Sequence, residues 1–261
     1  MTLDIVLMNV ENGVATITLN RPDAHNAFDD HVIAALSGKL DVLRLESDVH
    51  AVVLRGTGKS FSAGADLNWM KRAAAYTEAQ NKADALALAD MLNKLYTLPI
   101  VSIACVQGAA MGGGMGLTAC CDIVIADKDA IFSLSEVKLG LIPATIAPYV
   151  LKAMGERQAR RYFQTGERFS GQRAYDMGFV HEVADGVADI ETRLETLLKI
   201  IAANGPGAMK DAKKLCLDFA GIPITPETIN DTANRIAHTR GGAEAKEGLS
   251  AFLEKRKAQW V

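Results

Sequence analysis

The sequence predicts an α/β fold, and three observations carry that prediction. Short runs of β-branched residues alternate with helical patterns through the first half of the chain. Two of these runs flank Glu11-Asn12-Gly13, a sequence typical of a tight hairpin turn. Beyond about residue 186 the strand signal fades and helical segments dominate. We therefore expect an α/β core followed by a helical carboxy-terminal region.

The core elements follow from apolar periodicity and from the residues that break it. Strands are predicted at 5–10, 14–19, 51–55, 100–106, 122–126 and 131–132, and helices at 28–46, 78–97 and 115–120. Four later helices are predicted at 188–203, 207–219, 226–239 and 242–258. The last of them interleaves apolar residues with charges, so it covers either its own core or a partner subunit.

Composition excludes several classes of protein. With 261 residues the chain is long enough for a sizeable core, and 49% hydrophobic with 23% charged residues is close to the soluble average. No run approaches 18 uncharged apolar residues, which excludes a membrane-spanning protein. The formal charge of −3 gives no general attraction to polyanions, so a nucleic-acid partner is not expected.

The cysteines and the amino terminus predict the compartment. The four cysteines form no Cys-X-X-Cys pair and have no histidine at ligand spacing, so we expect neither disulfides nor a metal site. The start, Met1-Thr2-Leu3-Asp4, lacks the features of a secretion signal or transit peptide. These features predict a cytoplasmic protein.

Two glycine-rich segments resemble nucleotide-binding motifs without matching them. The run Gly56 to Ser60 imitates the end of a phosphate-binding loop, but Val53 occupies the position of the first required glycine. The run Gly112 to Gly116 has the wrong spacing for a dinucleotide fingerprint. Neither a nucleoside triphosphatase nor a Rossmann site is favoured.

One hypothesis explains two glycine-containing segments together. If the loop at 62–65 faces the run at 112–114, each exposes backbone N–H groups to a ligand, because small side chains allow close approach. Two such donors form an oxyanion hole, and the helix predicted at 115–120 adds positive potential. Tight helix-to-strand packing is the alternative explanation for the glycines.

Glu136 is the candidate acid/base residue. It lies in a mostly apolar stretch, where desolvation raises a carboxyl pKa toward neutrality and suits the group to proton transfer. The alternative is a surface carboxylate that pairs with Lys138 or with a capping Ser133 or Ser135.

Several motifs, in order and across nearly the whole chain, resemble the crotonase (enoyl-CoA hydratase/isomerase) superfamily. The matching segments are Asn20-Arg21-Pro22, Asn26-Ala27-Phe28, Phe61 to Leu67, Gln107-Gly108, Gly112 to Gly114, Cys121-Asp122-Ile123, Glu136, Gly140 to Pro143 and Ser250 to Arg256. The resemblance implies a spiral of ββα units, an acyl-CoA thioester substrate and self-association as a trimer or hexamer. It implies no metal or redox cofactor. We accordingly divide the chain into an acyl-CoA-binding core, 1–195, and a helical oligomerisation region, 196–261.

The resemblance also implies roles for individual residues. The amides of Ala63 and Gly113 are expected to hold the thioester oxygen, and Glu136 matches the family's catalytic glutamate. The remaining implied substrate and CoA contacts are Ser62, Ala65, Asp66, Leu67, Gly112, Gly116 and, from a neighbouring subunit, Phe252 and Lys255.

Gly116 departs from the pattern of typical hydratases, which carry a second glutamate at the corresponding position. Hydration of a conjugated double bond uses two proton transfers, which two carboxylates share conveniently. An isomerase that moves a double bond between the Δ3 and Δ2 positions needs only one base. Hydration and isomerisation therefore remain alternative hypotheses for the reaction. A third hypothesis is a catalytically silent protein that binds acyl-CoA.

A finer resemblance favours hydration of a branched, carboxylated substrate. The segments 108–117 and 142–150 are similar to those of bacterial methylglutaconyl-CoA hydratases of leucine catabolism. Such a substrate needs a cation near its acyl end, and Lys71 or Arg72 is the candidate. The alternative is that both are ordinary solvated surface charges. Trp69 and Tyr149 are candidates for the acyl pocket wall.

Overall fold

The structure is a computed structural model that describes residues 4–261, so the extreme amino terminus used to predict localisation lies outside it. Its strands are β1 (Val6–Glu11), β2 (Val14–Leu19), β3 (Ala51–Gly56), β4 (Val101–Val106), β5 (Ala109–Met111), β6 (Ile123–Asp127), β7 (Ile131–Ser133), β8 (Phe169–Ser170) and β9 (Glu182–Ala184). Its helices are α1 (Asp30–Leu45), α2 (Leu67–Ala73), α3 (Glu78–Tyr96), α4 (Gly113–Cys120), α5 (Ala147–Met154), α6 (Glu156–Thr165), α7 (Gly171–Asp176), α8 (Val187–Ala202), α9 (Pro206–Phe219), α10 (Pro226–Gly241) and α11 (Ala243–Leu253).

The chain opens with the predicted hairpin. Strands β1 and β2 pair antiparallel, with Glu11 opposite Val14. Asn12 and Gly13 both have positive φ, 50° and 74°, the left-handed conformations that a two-residue turn of this kind requires. The hairpin prediction is confirmed.

The main sheet has the strand order β1-β2-β3-β4-β6-β9, and every pairing after the first is parallel. Both of its faces are covered, as β3 shows. Val52 and Leu54 belong to the cluster that contains the buried face of α1, whereas Ala51 and Val53 pack in a second cluster with Ile190 of α8. Burial on both faces explains why the central strands are uninterrupted apolar runs.

A second sheet, in the order β5-β7-β8, produces the spiral. Strand β4 lies in the main sheet and β5 in the second, and the same alternation is repeated by β6 and β7. A helix follows each pair, α4 after β5 and α5 after the 3₁₀ segment that succeeds β7. These repeated strand-strand-helix units form the predicted ββα spiral.

The sequence did not predict the elements α2, α5, α6, α7, β5, β8 and β9. The three strands have two or three residues each, and helices α2 and α7 have seven and six, too short for periodicity to register. Helix α6 is mostly polar, with four charged residues among ten, and buries only Ala159 and Tyr162. Such elements form because the surrounding structure holds them.

The last helix is shorter than predicted. We expected helix over 242–258, but α11 ends at Leu253. Lys255 has a φ of 55°, so the backbone turns away there. The tail folds back, with the Trp260 ring beside Gly248 and Arg256 forming an ion pair with Glu247 at 2.6 Å.

The predicted division at 195/196 lies inside α8. This helix runs unbroken through that point, and Ile190, Leu194 and Ile201 pack together on the main sheet. Helices α9 and α10 bury no residue, and α11 buries only Ala251. The helices that cover little of their own chain are therefore those after α8.

None of the helices described for residues 4–261 is both long enough and apolar enough to cross a membrane. Cys105, Cys120 and Cys121 are buried free thiols, and Cys216 is an exposed one. Burial raises the pKa of the Cys105 thiol to about 11, so this group stays protonated at neutral pH.

Candidate active site

A cavity of about 760 Å³ lies where the second sheet, α4 and the pair α2 and α3 meet. Its lining is mostly apolar and includes the catalytic candidates and the start of α4. The lining residues are Phe28, Ala63, Gly64, Ala65, Trp69, Met70, Ala73, Ala74, Asn81, Asp84, Ala85, Leu88, Met111, Gly112, Gly113, Ser135, Glu136, Leu139, Leu141, Ile142, Pro143, Thr145 and Ile146. A concave, mostly apolar site with few polar groups is the usual form of a small-molecule site.

Glu136 enters this cavity from the 3₁₀ helix Ser135–Leu139, directly after β7. Its Oε2 is buried and has no hydrogen-bond partner among residues 4–261. Burial raises the pKa of this carboxyl above its ordinary value, because desolvation disfavours the charged form. Neither the ion pair with Lys138 nor a capping bond from Ser133 or Ser135 is present in the described structure.

Gly112 makes room for this carboxyl. A Cβ atom on Gly112 would lie 3.0 Å from Glu136 Oε1, and the residue has a positive φ of 47°. Both constraints favour glycine, because any larger residue crowds the carboxylate and strains the backbone. The glycine run is thus part of the cavity wall and also serves tight packing.

The two glycine-containing segments lie side by side, as the oxyanion hypothesis requires. The Ser62 amide donates to the Ala109 carbonyl at 2.9 Å, and the Met111 amide donates to the Ser62 carbonyl at 2.9 Å. A second parallel bridge joins Phe28 to Ala65. The Ser62 bonds hold the start of the 62–65 loop against β5, immediately before Gly112, and the Phe28 bridge holds its end.

The hydrogen bonds correct the expected pair of oxyanion donors. The Ala63 amide already donates to the His25 carbonyl at 2.9 Å, so it is not available to a ligand. The Ala65 amide has no acceptor within residues 4–261, and Ala65 lines the cavity. The free amide in this loop belongs to Ala65, not to Ala63.

Gly113 supplies a second free amide. It is the first residue of α4, where a helix leaves its backbone N–H groups unpaired. Its amide has no acceptor in the described part of the chain, and it lines the same cavity. The amino-terminal end of α4 adds positive potential at this point.

Gly116 does not line the cavity, since Ile146 lies over it. A Cβ atom on Gly116 would approach the Cγ2 atom of Ile146 to an impossible separation. Ile146 is itself buried and lines the cavity. An apolar side chain therefore fills the space into which a residue at 116 would project.

The other predicted contacts in the 62–67 segment do not line the cavity. Ser62 is buried and its hydroxyl donates to the Asn26 carbonyl at 2.9 Å. Asp66 caps α2 by accepting from the amides of Asn68 and Trp69. Leu67 is 74% exposed and is not part of the cavity lining.

Asp66 also pairs with Arg21 at 3.0 Å. Burial alone would raise the pKa of the Asp66 carboxyl. The hydrogen bonds from two backbone amides and from Arg21 outweigh that effect and hold the pKa below its usual range. This carboxylate positions α2, which forms one wall of the cavity.

Of the four candidates for the acyl pocket, only Trp69 lines it. Arg72 forms an ion pair with Asp30 on α1, and Lys71 is exposed outside the lining. Tyr149 packs edge-to-face on Tyr96, with ring centroids 5.1 Å apart. The expectation that Lys71 or Arg72 reaches the pocket does not match these positions.

Phe252 and Lys255 do not reach the cavity of their own chain. Phe252 is 80% exposed on α11, and Lys255 follows that helix. Their expected contact with CoA therefore requires a neighbouring subunit.

Sequence reasoning missed Asp84, which lines the cavity from α3. The Trp69 indole N–H donates to Asp84 Oδ1 at 3.2 Å, which joins α2 to α3. Its sequence signal is a lone acid within Ala83 to Leu88, an otherwise apolar helix face. Among residues 4–261 no group of three or more His, Cys, Asp or Glu side chains is placed to hold a metal ion.

Comparison with known proteins agrees with this geometry. The family model described as enoyl-CoA hydratase/isomerase matches residues 9–261. The chain belongs to this family.

Relatives match along nearly their whole length. A putative enoyl-CoA hydratase of Thermus thermophilus is 33% identical over 251 residues, which cover 96% of this chain and 98% of that protein. The crystal structure of an enoyl-CoA hydratase from Shewanella pealeana is 42% identical with a TM-score of 0.96, covering 99% of this chain and 97% of the other. AtuE of Pseudomonas aeruginosa is 36% identical with a TM-score of 0.95, covering 98% and 99%. The fold is thus that of the crotonase superfamily, and the chain is an enzyme of the enoyl-CoA hydratase type.

Proposed function

We propose that this family member adds water to the conjugated double bond of an enoyl-CoA thioester. One observation carries the proposal: the unpartnered carboxyl of Glu136 lines the same cavity as the free amides of Ala65 and Gly113. Proton transfer beside a preformed pair of oxyanion donors is the chemistry that an enolate intermediate needs.

The residues act on different atoms of the substrate. The amides of Ala65 and Gly113 donate to the thioester oxygen as negative charge develops there. Water attacks the β-carbon and releases one proton to the surrounding water, the electron pair of the double bond moves into the enolate, and the α-carbon takes a proton from Glu136, which then regains one from solvent. The raised pKa of Glu136 supports this role, because a larger fraction of the carboxyl carries a proton at neutral pH.

The branched, carboxylated acyl group remains a prediction from the resemblance to methylglutaconyl-CoA hydratases. No Lys, Arg or His lines the described cavity, so a cation for the distal carboxylate has to come from a rearranged Lys71 or Arg72 or from a neighbouring subunit. We also propose assembly as a trimer or hexamer in which Phe252 and Lys255 contact CoA across the interface, with no cofactor besides the CoA of the substrate.

Isomerisation from Δ3 to Δ2 is the second candidate function, and the position of Ile146 favours it. Ile146 occupies the space beside Gly116, so no carboxylate can project from that position. A single shuttling base such as Glu136 suffices to move a proton between two carbons.

The first test is the loss of ultraviolet absorbance of the conjugated thioester, with crotonyl-CoA and 3-methylglutaconyl-CoA as substrates. We expect Glu136-dependent hydration, and Glu136→Gln is expected to lower kcat by about 10²–10⁴-fold, the usual contribution of a positioned acid/base group. Glu156→Gln, an exposed carboxylate on α6, is the matched control and should retain full activity.

Each alternative has a distinct outcome. Inactivity with both substrates, combined with a rise in absorbance when a 3-enoyl-CoA is supplied, would establish the isomerase instead. An inactive wild type that still binds acyl-CoA would indicate a binding protein. Faster turnover of the carboxylated substrate, lost on changing Lys71 or Arg72 to Ala, would support the finer assignment.

A further inference from the structure

The cavity contains a second carboxylate, contributed by α3. Of the cavity-lining residues described, Glu136 and Asp84 are the ones with acidic side chains. Asp84 belongs to the middle of α3, whose other residues in the lining are Asn81, Ala85 and Leu88. Asp84 is half-buried, and its side chain shares the cavity with that of Glu136.

Asp84 is oriented by one hydrogen bond. The Trp69 indole N–H donates to Oδ1 at 3.2 Å, and no other donor or cation in residues 4–261 contacts the carboxylate. Trp69 is in turn fixed by the capped amino terminus of α2, where its amide donates to Asp66 at 3.2 Å. Oδ2 is thus left free to accept a proton or a hydrogen bond.

Hydration uses a second proton-transfer group, and the residues that follow Gly112, including Gly116, do not supply one. Gly116 has no side chain, and Ile146 fills the adjoining space. We propose that Asp84 is this second catalytic carboxylate: it holds the attacking water and takes its proton, while Glu136 protonates the α-carbon. The inference rests on the proposed hydratase function.

The step balances without any further reactant. The water oxygen forms a bond to the β-carbon and loses one proton to Asp84 Oδ2. The π electron pair becomes the enolate, held by the amides of Ala65 and Gly113, and returns to form a C–H bond with the proton of Glu136. Asp84 ends protonated and Glu136 ionised, and proton exchange with solvent restores both.

Three reactions distinguish the role of Glu136 from that of Asp84. Hydration of crotonyl-CoA needs both, whereas isomerisation of 3-hexenoyl-CoA and exchange of the α-protons of butyryl-CoA with D₂O need only Glu136. We expect Asp84→Asn to lower kcat for hydration by about 10²-fold or more, with the other two rates within about threefold of wild type. Glu136→Gln is expected to lower all three rates by about 10²-fold or more.

Two further variants test the role of the Trp69 contact. Trp69→Phe keeps the ring and removes the donor, so we expect kcat for hydration to fall about tenfold with KM within about twofold, since one orienting hydrogen bond is lost. Asp84→Glu keeps the charge and is expected to restore part of the hydration lost in Asp84→Asn. Asp90→Asn, which removes an exposed acid from α3 that pairs with Lys94 at 3.2 Å, is the control and should leave all three rates unchanged.

The outcomes distinguish this inference from the proposed function. Full hydration by Asp84→Asn would overturn the role of Asp84 and leave the hydratase intact. An equal fall in all three rates would also overturn it, because it would indicate a structural role. A change confined to KM, dependent on the acyl group, would make Asp84 a specificity residue and likewise contradict the proposal. If the wild type hydrates no enoyl thioester yet exchanges α-protons, the hydratase proposal itself fails, and the role of Asp84 fails with it.

Discussion

At the scale of single residues, the chemistry depends on groups whose hydrogen-bonding capacity the protein leaves unused. Glu136 keeps one buried oxygen without a partner, and the amides of Ala65 and Gly113 have no acceptor in the described structure. A buried polar atom such as Glu136 Oε2 is normally paired, since an unsatisfied one costs about 1–3 kcal/mol, whereas the free amide of the exposed Ala65 is open to solvent or to a ligand. Their coincidence in one cavity is therefore informative about function.

The raised pKa of Glu136 predicts a pH-dependent stability. Below its ordinary value of 4.5 the carboxyl is neutral in both states, and as pH rises through the higher folded pKa the native state has to hold a desolvated charge. Glu136→Gln is therefore expected to increase the free energy of unfolding at pH 8 by about 1 kcal/mol, within the range for an unsatisfied buried group. Thermal unfolding should show a gain of about 2–4 °C that disappears toward pH 4.

The control for this measurement is Glu156→Gln, which removes a charge from the surface. A gain independent of pH, or one of the same size in the control, would contradict the argument from desolvation.

The corrected oxyanion pair predicts distinct behaviour of neighbouring amides. In ¹⁵N-labelled protein, the Ala63 amide should exchange slowly with solvent, because it is bonded to the His25 carbonyl. The Ala65 amide should exchange faster and become protected when acetoacetyl-CoA binds, with a downfield proton shift shared by Gly113. Protection of Ala63 on binding, with Ala65 unaffected, would restore the pair expected from the sequence.

At the scale of elements, short segments build the site and long ones support it. Glu136 comes from a five-residue 3₁₀ helix and Gly113 from an eight-residue α-helix. The long elements α1 and α3 pack on the sheet and fix where these short pieces lie. Short segments held by their surroundings suit a site, because their conformation depends on tertiary contacts and not on propensity.

The contact between α4 and the amino-terminal end of α5 predicts a stability coupling. Gly116→Ala should lower the free energy of unfolding by about 1–3 kcal/mol, since its Cβ collides with Ile146. In Ile146→Ala the colliding Cγ2 is absent, so the double variant should be less destabilised than the sum of the single variants by about 0.5–3 kcal/mol, as for residues in contact. Urea unfolding measures all three.

Gly38 in α1 provides the matched control. A Cβ there meets nothing within 4 Å, so Gly38→Ala should stabilise the protein by about 1 kcal/mol. Additive effects of the changes at 116 and 146 would show that the two residues do not share space as described.

At the scale of the whole molecule, the helices after α8 leave apolar side chains uncovered. Ile224 is 86% exposed, Phe252 80% and Leu253 77%. Large exposed apolar side chains on several helices are typical of a surface that another chain covers. This agrees with the oligomerisation expected for the carboxy-terminal region.

The assembly prediction is tested by light scattering on the eluting protein. The wild type is expected to have three or six times the mass of one chain, and Leu253→Glu is expected to shift it toward the monomer, because it buries a charge at the interface. Leu45→Glu, which changes a leucine 86% exposed at the end of α1, is the control and should keep the wild-type mass. A monomeric wild type would remove the basis for a CoA contact from Phe252 and Lys255 across subunits.

The sequence by itself determined the fold class and the identity of the acid/base candidate. Periodicity located the hairpin and the long elements, because their apolar faces repeat often enough to be recognised. Glu136 was identifiable because an isolated carboxylate in an apolar stretch is uncommon, and the order of several motifs predicted the family to which the chain belongs.

Tertiary structure decided what depends on contacts between distant residues. Whether the Ala63 or the Ala65 amide is free depends on His25, and the fate of the space at Gly116 depends on Ile146, 30 positions away. The place of Asp84 in the cavity wall and its hydrogen bond from Trp69 depend on the packing of α2 against α3. Hydrogen-bond partners and steric contacts join residues that are distant in sequence, so local sequence patterns do not predict them.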